Sequence, residues 1–360
     1  MRKIIVVVLV SLLLSGCWDE VLYQDLTMVP LAGIEGETGK ITVHFSFPSA
    51  EQEKIIYSTT EGHGVSLREA RNNAFMHTDE MLDIAQLEVF LISAETAKED
   101  LYNYIDVFYR TPRHQLSGRM AVVEGEMKEL FDKAETLPIN APDYYKGIIE
   151  TAIKFSYIPD FDLQSIGNTM FDKSIDFALP SIRISEHTKL PEVSGVALFS
   201  DRQFSGHYLD AKESLIMTLM MKKGKKKKYA QFTYLWEENG VEYPITVEHV
   251  KKKKKWKITN DKIEATYKIK FGVEEFPHDN LDNTALVNKL NKFLSEQLTT
   301  DFNKVIKKLQ EAKSDSIGFG QNVRAFHREL WEKGKWQDTF SEMDINVKVE
   351  AEITRSGILN

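Results

Sequence analysis

The sequence predicts a mixed α/β protein built as three successive domains, each a mixed sheet with packed helices. Three observations predict it. Strand-like runs alternate with helical ones between residues 26 and 134, which implies a sheet with right-handed crossovers. Residues 193–250 are strand-like pieces separated by turns, a mostly β region. Residues 256–360 combine strands with one long amphipathic stretch. The expected units are a leader at 1–16, an α/β domain at 17–190, a mostly β domain at 191–255 and an α/β domain at 256–360. A chain of 360 residues is long enough for several cores.

The leader comes first. Arg2 and Lys3 precede an apolar run from Ile4 to Leu14, interrupted only by Ser11. That run is too short to span a hydrocarbon core, which takes about 20 residues, and has the length of a secretory h-region. It leads into Leu14-Ser15-Gly16-Cys17, where the single cysteine of the chain sits. The pattern resembles a bacterial lipobox. The resemblance implies cleavage after Gly16, a diacylglycerol on the Cys17 thiol and an acyl group on its new amine. Two or more acyl chains hold a protein stably on a membrane, whereas one does so only marginally.

In the body, residues 26–34 and 40–47 read as two strands, with Ile41, Val43, Phe45 and Phe47 on one face. Ser66 and Glu69 form a capping-box pattern for a helix through Gln86, with Ala70, Ala74, Met81, Leu82 and Ala85 on its apolar side. Residues 87–93 read as a buried strand. Thr96 and Glu99 suggest a second capping box, opening a helix that stops at Thr111-Pro112. A strand near 118–124 and a short helix near 127–134 follow. Residues 137–184 look mainly helical, broken by prolines. Beyond Pro191, the runs VSGVALFS, ESLIMTLMM, YAQFTYLW and VEYPITVEHV read as strands. In 281–313, Leu286, Leu290, Phe293/Leu294, Leu298, Phe302, Val305/Ile306 and Leu309 recur at helical spacing.

Chemistry-bearing motifs are scarce. The net charge of -8 argues against nucleic acid as a partner, and one cysteine excludes a cysteine-rich metal site or a redox pair. None of the nine histidines has the spacing of a metalloprotease helix, and no phosphate-binding lysine loop or nucleophile elbow is present. Gly318-Phe-Gly320 lacks the third glycine of a dinucleotide fingerprint and follows a helix. Gly62-His63-Gly64 reads as a turn. Asp160/Asp162 and Glu342/Asp344 read as loop and strand-end carboxylates. Trp331, Trp336 and Phe340 read as packing. No catalytic residue, metal or cofactor is expected. Two lysine runs, KKGKKKK at 222–228 and KKKKKWK at 251–257, read as a solvated hairpin tip and a charged edge strand. The sharper alternative is a patch for anionic headgroups or an acidic partner.

Several stretches resemble the Ger(x)C family, the lipoprotein C subunits of spore germinant receptors. They are Cys17-Trp18-Asp19-Glu20 with Asp25-Leu26, Ser66-Leu-Arg-Glu-Ala70 leading to LEVFLISAETAKEDL, and Tyr109-Arg110. Val193-Ser-Gly-Val-Ala-Leu-Phe199 with Phe204-Ser-Gly206, Asp315-Ser-Ile-Gly-Phe-Gly320, and the C-terminal Trp331, Trp336, Phe340, Val347-Lys-Val349 and Gly357 continue the likeness. It covers essentially the whole chain after the leader, although residues 72–81 match it poorly. The resemblance implies three α/β domains in a non-enzymatic subunit required for germination in response to nutrients. That subunit would be anchored through Cys17 to the outer face of the spore inner membrane, beside membrane-embedded A and B subunits. No ligand-binding residue other than Cys17 carries over. The alternative class is a solute-binding lipoprotein of a transporter, which predicts two similar lobes around a hinge cleft.

Overall fold

The computed structural model describes residues 26–51, 54–79, 81–221, 229–259 and 261–355. Cys17 and the first lysine run lie outside the described residues. In chain order the strands are β1 (Thr27–Met28), β2 (Leu31–Glu37), β3 (Lys40–Glu51), β4 (Lys54–Gly64), β5 (Leu82–Asp83), β6 (Val89–Ser93) and β7 (Arg119–Val123). They continue as β8 (Ala178–Ile184), β9 (Pro191–Ser200), β10 (Gln203–Asp210), β11 (Gln231–Glu238), β12 (Val241–Ile258), β13 (Lys262–Glu275) and β14 (Asp344–Arg355). The helices are α1 (Leu67–Ala74), α2 (Ala94–Ala97), α3 (Tyr102–Arg110), α4 (Met127–Asp132), α5 (Ala141–Lys154) and α6 (Leu163–Met170). They continue as α7 (Ala211–Met220), α8 (Thr284–Glu311), α9 (Phe319–Phe326), α10 (Arg328–Trp331) and α11 (Trp336–Glu342).

The chain is mixed α/β, as the sequence predicts. Eight strands form one sheet in the order β10-β9-β8-β7-β6-β2-β3-β4. Its centre, β2-β6-β7-β8, is parallel, and both flanks are antiparallel. The parallel strand β6 is buried at all five positions, so its sequence is continuously apolar rather than alternating. One face of this sheet packs on α1, α3 and α6 through Phe90, Ile92, Val122, Ile105 and Ile166. The other packs on α4, α5 and α7, and that core runs on without a break into the second sheet.

Five readings of the sequence differ from the structure. Residues 178–184, read within a mainly helical stretch, form strand β8, because they pair with β7 and β9. The helix opened by Ser66 ends at Ala74, with a 3-10 turn at Phe75–His77. Leu82 and Asp83 instead pair as a short parallel strand with Thr27 and Met28, so that tertiary pairing outweighs the local helical spacing. Thr96 does not open a helix. Its N–H donates to Ser93, which caps α2, while Glu99 accepts from the Thr38 N–H and the Tyr104 hydroxyl. The run ESLIMTLMM is helix α7, closed at its start by a reciprocal Asp210–Glu213 capping box. It is buried from Glu213 to Met217 and again at Leu219 and Met220. A helix buried on nearly every side shows no amphipathic period, so its run of apolar residues is indistinguishable from a strand. Finally, the expected breaks at 191 and 256 are not breaks between sheets. β9 and β10 complete the large sheet, and β12 runs straight through position 256. Alternation identifies a strand but not the sheet that it joins.

The second sheet has the order β11-β12-β13-β14, antiparallel except for the β13–β14 pair. Helix α8 starts at Asn283, whose side chain accepts from the Ala285 and Leu286 N–H groups. Its apolar stripe is buried as expected, from Leu286 to Leu309. A second stripe beside it, Asn291, Ser295, Thr299 and Asn303, is polar and lies along the free edge of β14. The N–H groups of Ile353, Ala351, Val349 and Val347 donate to these side chains in turn, at 2.8, 2.9, 3.0 and 2.9 Å. Four helical residues rise about 6 Å and two strand residues about 6.6 Å, so helix and strand stay in register over the whole ladder. The ladder occupies donors that an exposed edge would offer to another chain.

Leu298 sits fully buried mid-stripe. Leu298→Asp places an unpaired carboxylate there, at a cost of several kcal/mol. Soluble yield or melting temperature should collapse. A variant melting like the parent protein would show that the stripe is not core.

Candidate functional site

Two constellations stand out when the charged groups are traced from the sequence into the fold. The first is the Asp315-Ser-Ile-Gly-Phe-Gly320 segment. It follows α8 and opens α9 with Gly318 in the left-handed region, at φ 88°. The Asp315 side chain is fully buried and folds back on its own segment. One oxygen accepts from the Gly318 and Phe319 N–H groups, at 2.9 and 3.1 Å. The other accepts from the Gly320 N–H at 2.6 Å and the Trp336 indole N–H at 2.9 Å. A β-carbon at Gly320 would lie 2.6 Å from the Ser174 carbonyl and against the Trp336 ring, so only glycine fits.

Asp176, from the chain just before β8, completes the arrangement. Its carboxylate accepts from the Asp315 backbone N–H at 2.9 Å, the Asp201 N–H at 2.7 Å and the Gln337 side chain at 3.1 Å. The two segments thus join the large sheet to the C-terminal helices. Burial pushes the Asp315 carboxyl up to about 7 and Asp176 up to about 6, against the pull of the N–H donors around them. Every donor to Asp315 comes from the same polypeptide, so this GxG-containing segment binds its own carboxylate instead of a cofactor phosphate.

The second constellation is the lysine strand. From 251 to 257 side chains alternate across β12. Lys252, Lys254 and Trp256 point to the partly buried side, while Lys251, Lys253, Lys255 and Lys257 are exposed. β11 pairs β12 only over 241–248, so this half of β12 is an edge, as the sequence predicts. Lys252 donates to the Leu219 carbonyl and, at 2.9 Å, to the Met221 carbonyl, closing the end of α7. The Lys254 ammonium lies 3.9 Å from the centre of the Trp256 ring. The His249 N–H donates to the Ala230 carbonyl at 2.8 Å. The residues on either side of 222–228 are therefore held beside positions 249–252.

The other sequence candidates are brought together in no shared cleft. Asp160 pairs with Arg119 at 2.9 Å, and Asp162 caps α6. Asp344 accepts from Asn346 at 2.7 Å. His63 stays exposed on β4 beside Thr42, at 3.0 Å. Trp336 and Phe340 are buried, with Trp331 packed beside them, which is the packing reading. Among the described residues no group of three or more His, Cys, Asp or Glu side chains could hold a metal. An open depression of about 850 Å³ lies over the β2–β3 turn, lined by Glu37, Lys40, His63, Glu95 and Glu99. Its Glu99 carboxylate is already occupied by Thr38 and Tyr104. No described helix is long and apolar enough to cross a membrane. Sequence reasoning missed Asp176 altogether; no local motif marks it. The polar stripe of α8 was visible as an i, i+4 series but reads as solvent-facing.

Comparison with known proteins settles the family. Residues 19–184 match the N-terminal domain family of spore germination proteins, and residues 194–357 match the spore germination B3/GerAC-like C-terminal family. The chain belongs to the Ger(x)C family of spore germination proteins. It is 22% identical to spore germination protein GerQC of Bacillus cereus, over 99% of each chain. It is also 22% identical to spore germination protein KC of Bacillus subtilis strain 168, over 100% of this chain and 97% of that one. In fold it is similar to the crystal structure of the GerBC protein, with a TM-score of 0.53 at 16% identity, covering 89% of this chain and 97% of that one. The boundary between the two Ger(x)C domain families falls just before β9 completes the large sheet, so their division of the sequence is not a division between sheets.

Two tests follow from this geometry. Asp315→Asn turns one acceptor oxygen into a donor, and either amide orientation then faces two N–H groups. The variant should lose about 2–4 kcal/mol of stability, read as a lowered denaturation midpoint. An unchanged midpoint would remove the node from the account of the fold. The second test concerns pH. Burial pushes the Lys252 ammonium down to about 8, below the ordinary value of about 10.4. Between those values the unfolded chain binds a proton that the folded chain has released, so this lysine makes stability rise with pH from about 8 to 10.4. Lys252→Met should abolish that rise in denaturant titrations; an unaltered slope would contradict the assignment.

Proposed function

We propose that this chain is the lipid-anchored, non-enzymatic subunit of a nutrient germinant receptor, held through acylated Cys17 to the outer face of the spore inner membrane. Its partners there are the membrane-embedded A and B subunits, and its role is to support germination in response to nutrients. The observation that carries this reading is the end-to-end match to the spore germination families, from residue 19 to residue 357. The leader adds to it, because Cys17 stands two positions before the first matched residue, Asp19. The buried carboxylates support a role without catalysis. Asp315, Asp176 and Glu213 are each engaged by backbone, indole, amide or lysine donors, so they serve the fold. Sheets of eight and four strands are unlike each other, which disfavours the two matched lobes of a solute-binding protein.

Cys17→Ala tests the proposal. All described elements lie beyond residue 25, so the variant should fold but leave the inner-membrane fraction of spores, with nutrient-triggered germination weakened. Full membrane retention with normal germination would remove the anchoring claim.

A further inference from the structure

The outward side of the second sheet is strongly basic in one half. Across outward positions 251–257, 264–270 and 346–352 of the three adjacent strands, seven lysines stand against three glutamates. The β14 glutamates are taken. Glu350 pairs with Lys268 at 2.7 Å and Lys348 at 3.3 Å, and Glu352 pairs with Lys270 at 3.1 Å. Glu264 pairs with Lys262 at 3.0 Å and lies 3.7 Å from Lys257. Lys251, Lys253 and Lys255 have no acidic partner among the described residues. Lys251 also stands directly across from Lys270, and Lys253 across from Lys268. Like charges opposite one another destabilise a sheet. Protecting an edge takes a charged side chain or two, so edge protection alone does not account for this uncompensated row in a chain of net charge -8.

We infer that this face, centred on Lys251, Lys253, Lys255 and Lys257, docks on the anionic headgroups of a phospholipid membrane. Three features favour a lipid surface over an acidic protein. The row lies on a sheet face, extended over about 20 Å by the strand rise. It contains only lysines, which act as mobile point charges and lack the bidentate fork that recognises particular carboxylates. It also belongs to a chain that the proposed anchor keeps at a membrane, where a weak electrostatic contact acts at high local concentration. The direction of docking rests on that anchoring reading; the charge of the face does not. Each lysine near an anionic surface strengthens association about fivefold. The contact would orient the body with its second sheet toward the bilayer.

The experiment uses the full chain mixed with vesicles of phosphatidylcholine alone or with phosphatidylglycerol. Flotation reports binding, and acetylation of lysines read by mass spectrometry reports contact. On anionic vesicles at low salt, acetylation of Lys251, Lys253, Lys255 and Lys257 should slow at least about threefold. Lys292, 80% exposed on α8, should be unaffected, and high salt should erase the protection. Replacing the four lysines by Gln should weaken the anionic preference at least about tenfold without moving the melting temperature. Flotation on both vesicle types with unprotected lysines would overturn this inference and leave the anchor intact. Flotation on anionic vesicles alone, with the row protected, would uphold it and count against the anchor. No flotation on either would overturn both. Protection that appears only with a spore membrane protein present would assign the face to an acidic partner and overturn the lipid docking.

Discussion

The relation between the two sheets depends on the buried carboxylate of Asp315. Four N–H groups converge on it, three from its own segment and one from Trp336. A buried carboxylate is tolerable only when its lone pairs are filled, because desolvation otherwise costs more than packing returns. Filling them fixes the path of residues 315–320 and the start of α9. It also turns the Asp315 backbone N–H toward Asp176, which lies before β8 in the large sheet. Helix α7 completes the join. Leu215, Ile216, Met217, Leu219 and Met220 belong to a single core that reaches from Val89 and Val123 to Tyr267 and Phe302. Glu213 at its start pairs with Lys304 and Lys308 on α8, at 3.3 and 2.6 Å. With a continuous core and a buried polar node between them, the two sheets behave as one body.

That rigidity bears on function. A hinge cleft needs two lobes that can move apart, and here the join is a continuous buried core with a polar node at Asp315 and Asp176. The free edge of β14 is occupied by side chains of α8, so strand addition there is blocked. What the body offers to a partner is therefore surface: the basic half of the second sheet, and the open depression over the β2–β3 turn. The proposed receptor subunit would be served by such surfaces, each displayed on a scaffold with one continuous core.

Much of the fold was legible because its pattern is local. The stripe of α8, the alternation of β3 and the unbroken apolar run of β6 each report a period set by one face of burial. Where burial is all-round or depends on a distant partner, the period fails. Helix α7 reads as a strand because it has almost no polar side between Glu213 and Met220. Leu82 reads as helical because its pairing partner, Thr27, is more than fifty positions away. The same limit applies to the site. Asp315-Ser-Ile-Gly-Phe-Gly320 stands out by its glycines, yet its meaning lies in Asp176, Trp336 and Gln337, which only the fold brings near. The second lysine run was legible as an edge strand. That Lys251, Lys253 and Lys255 have no acidic partner among the described residues depends on the register with β13 and β14, which no single strand reveals.

Membership in a receptor complex is best tested by purification of the tagged chain from detergent-solubilised spore membranes, followed by identification of what elutes with it. Two polytopic membrane proteins in fixed proportion to this chain are expected, retained after salt washes that strip peripheral proteins. Elution of the chain alone, under detergent conditions that preserve other spore membrane complexes, would contradict its place as a receptor subunit.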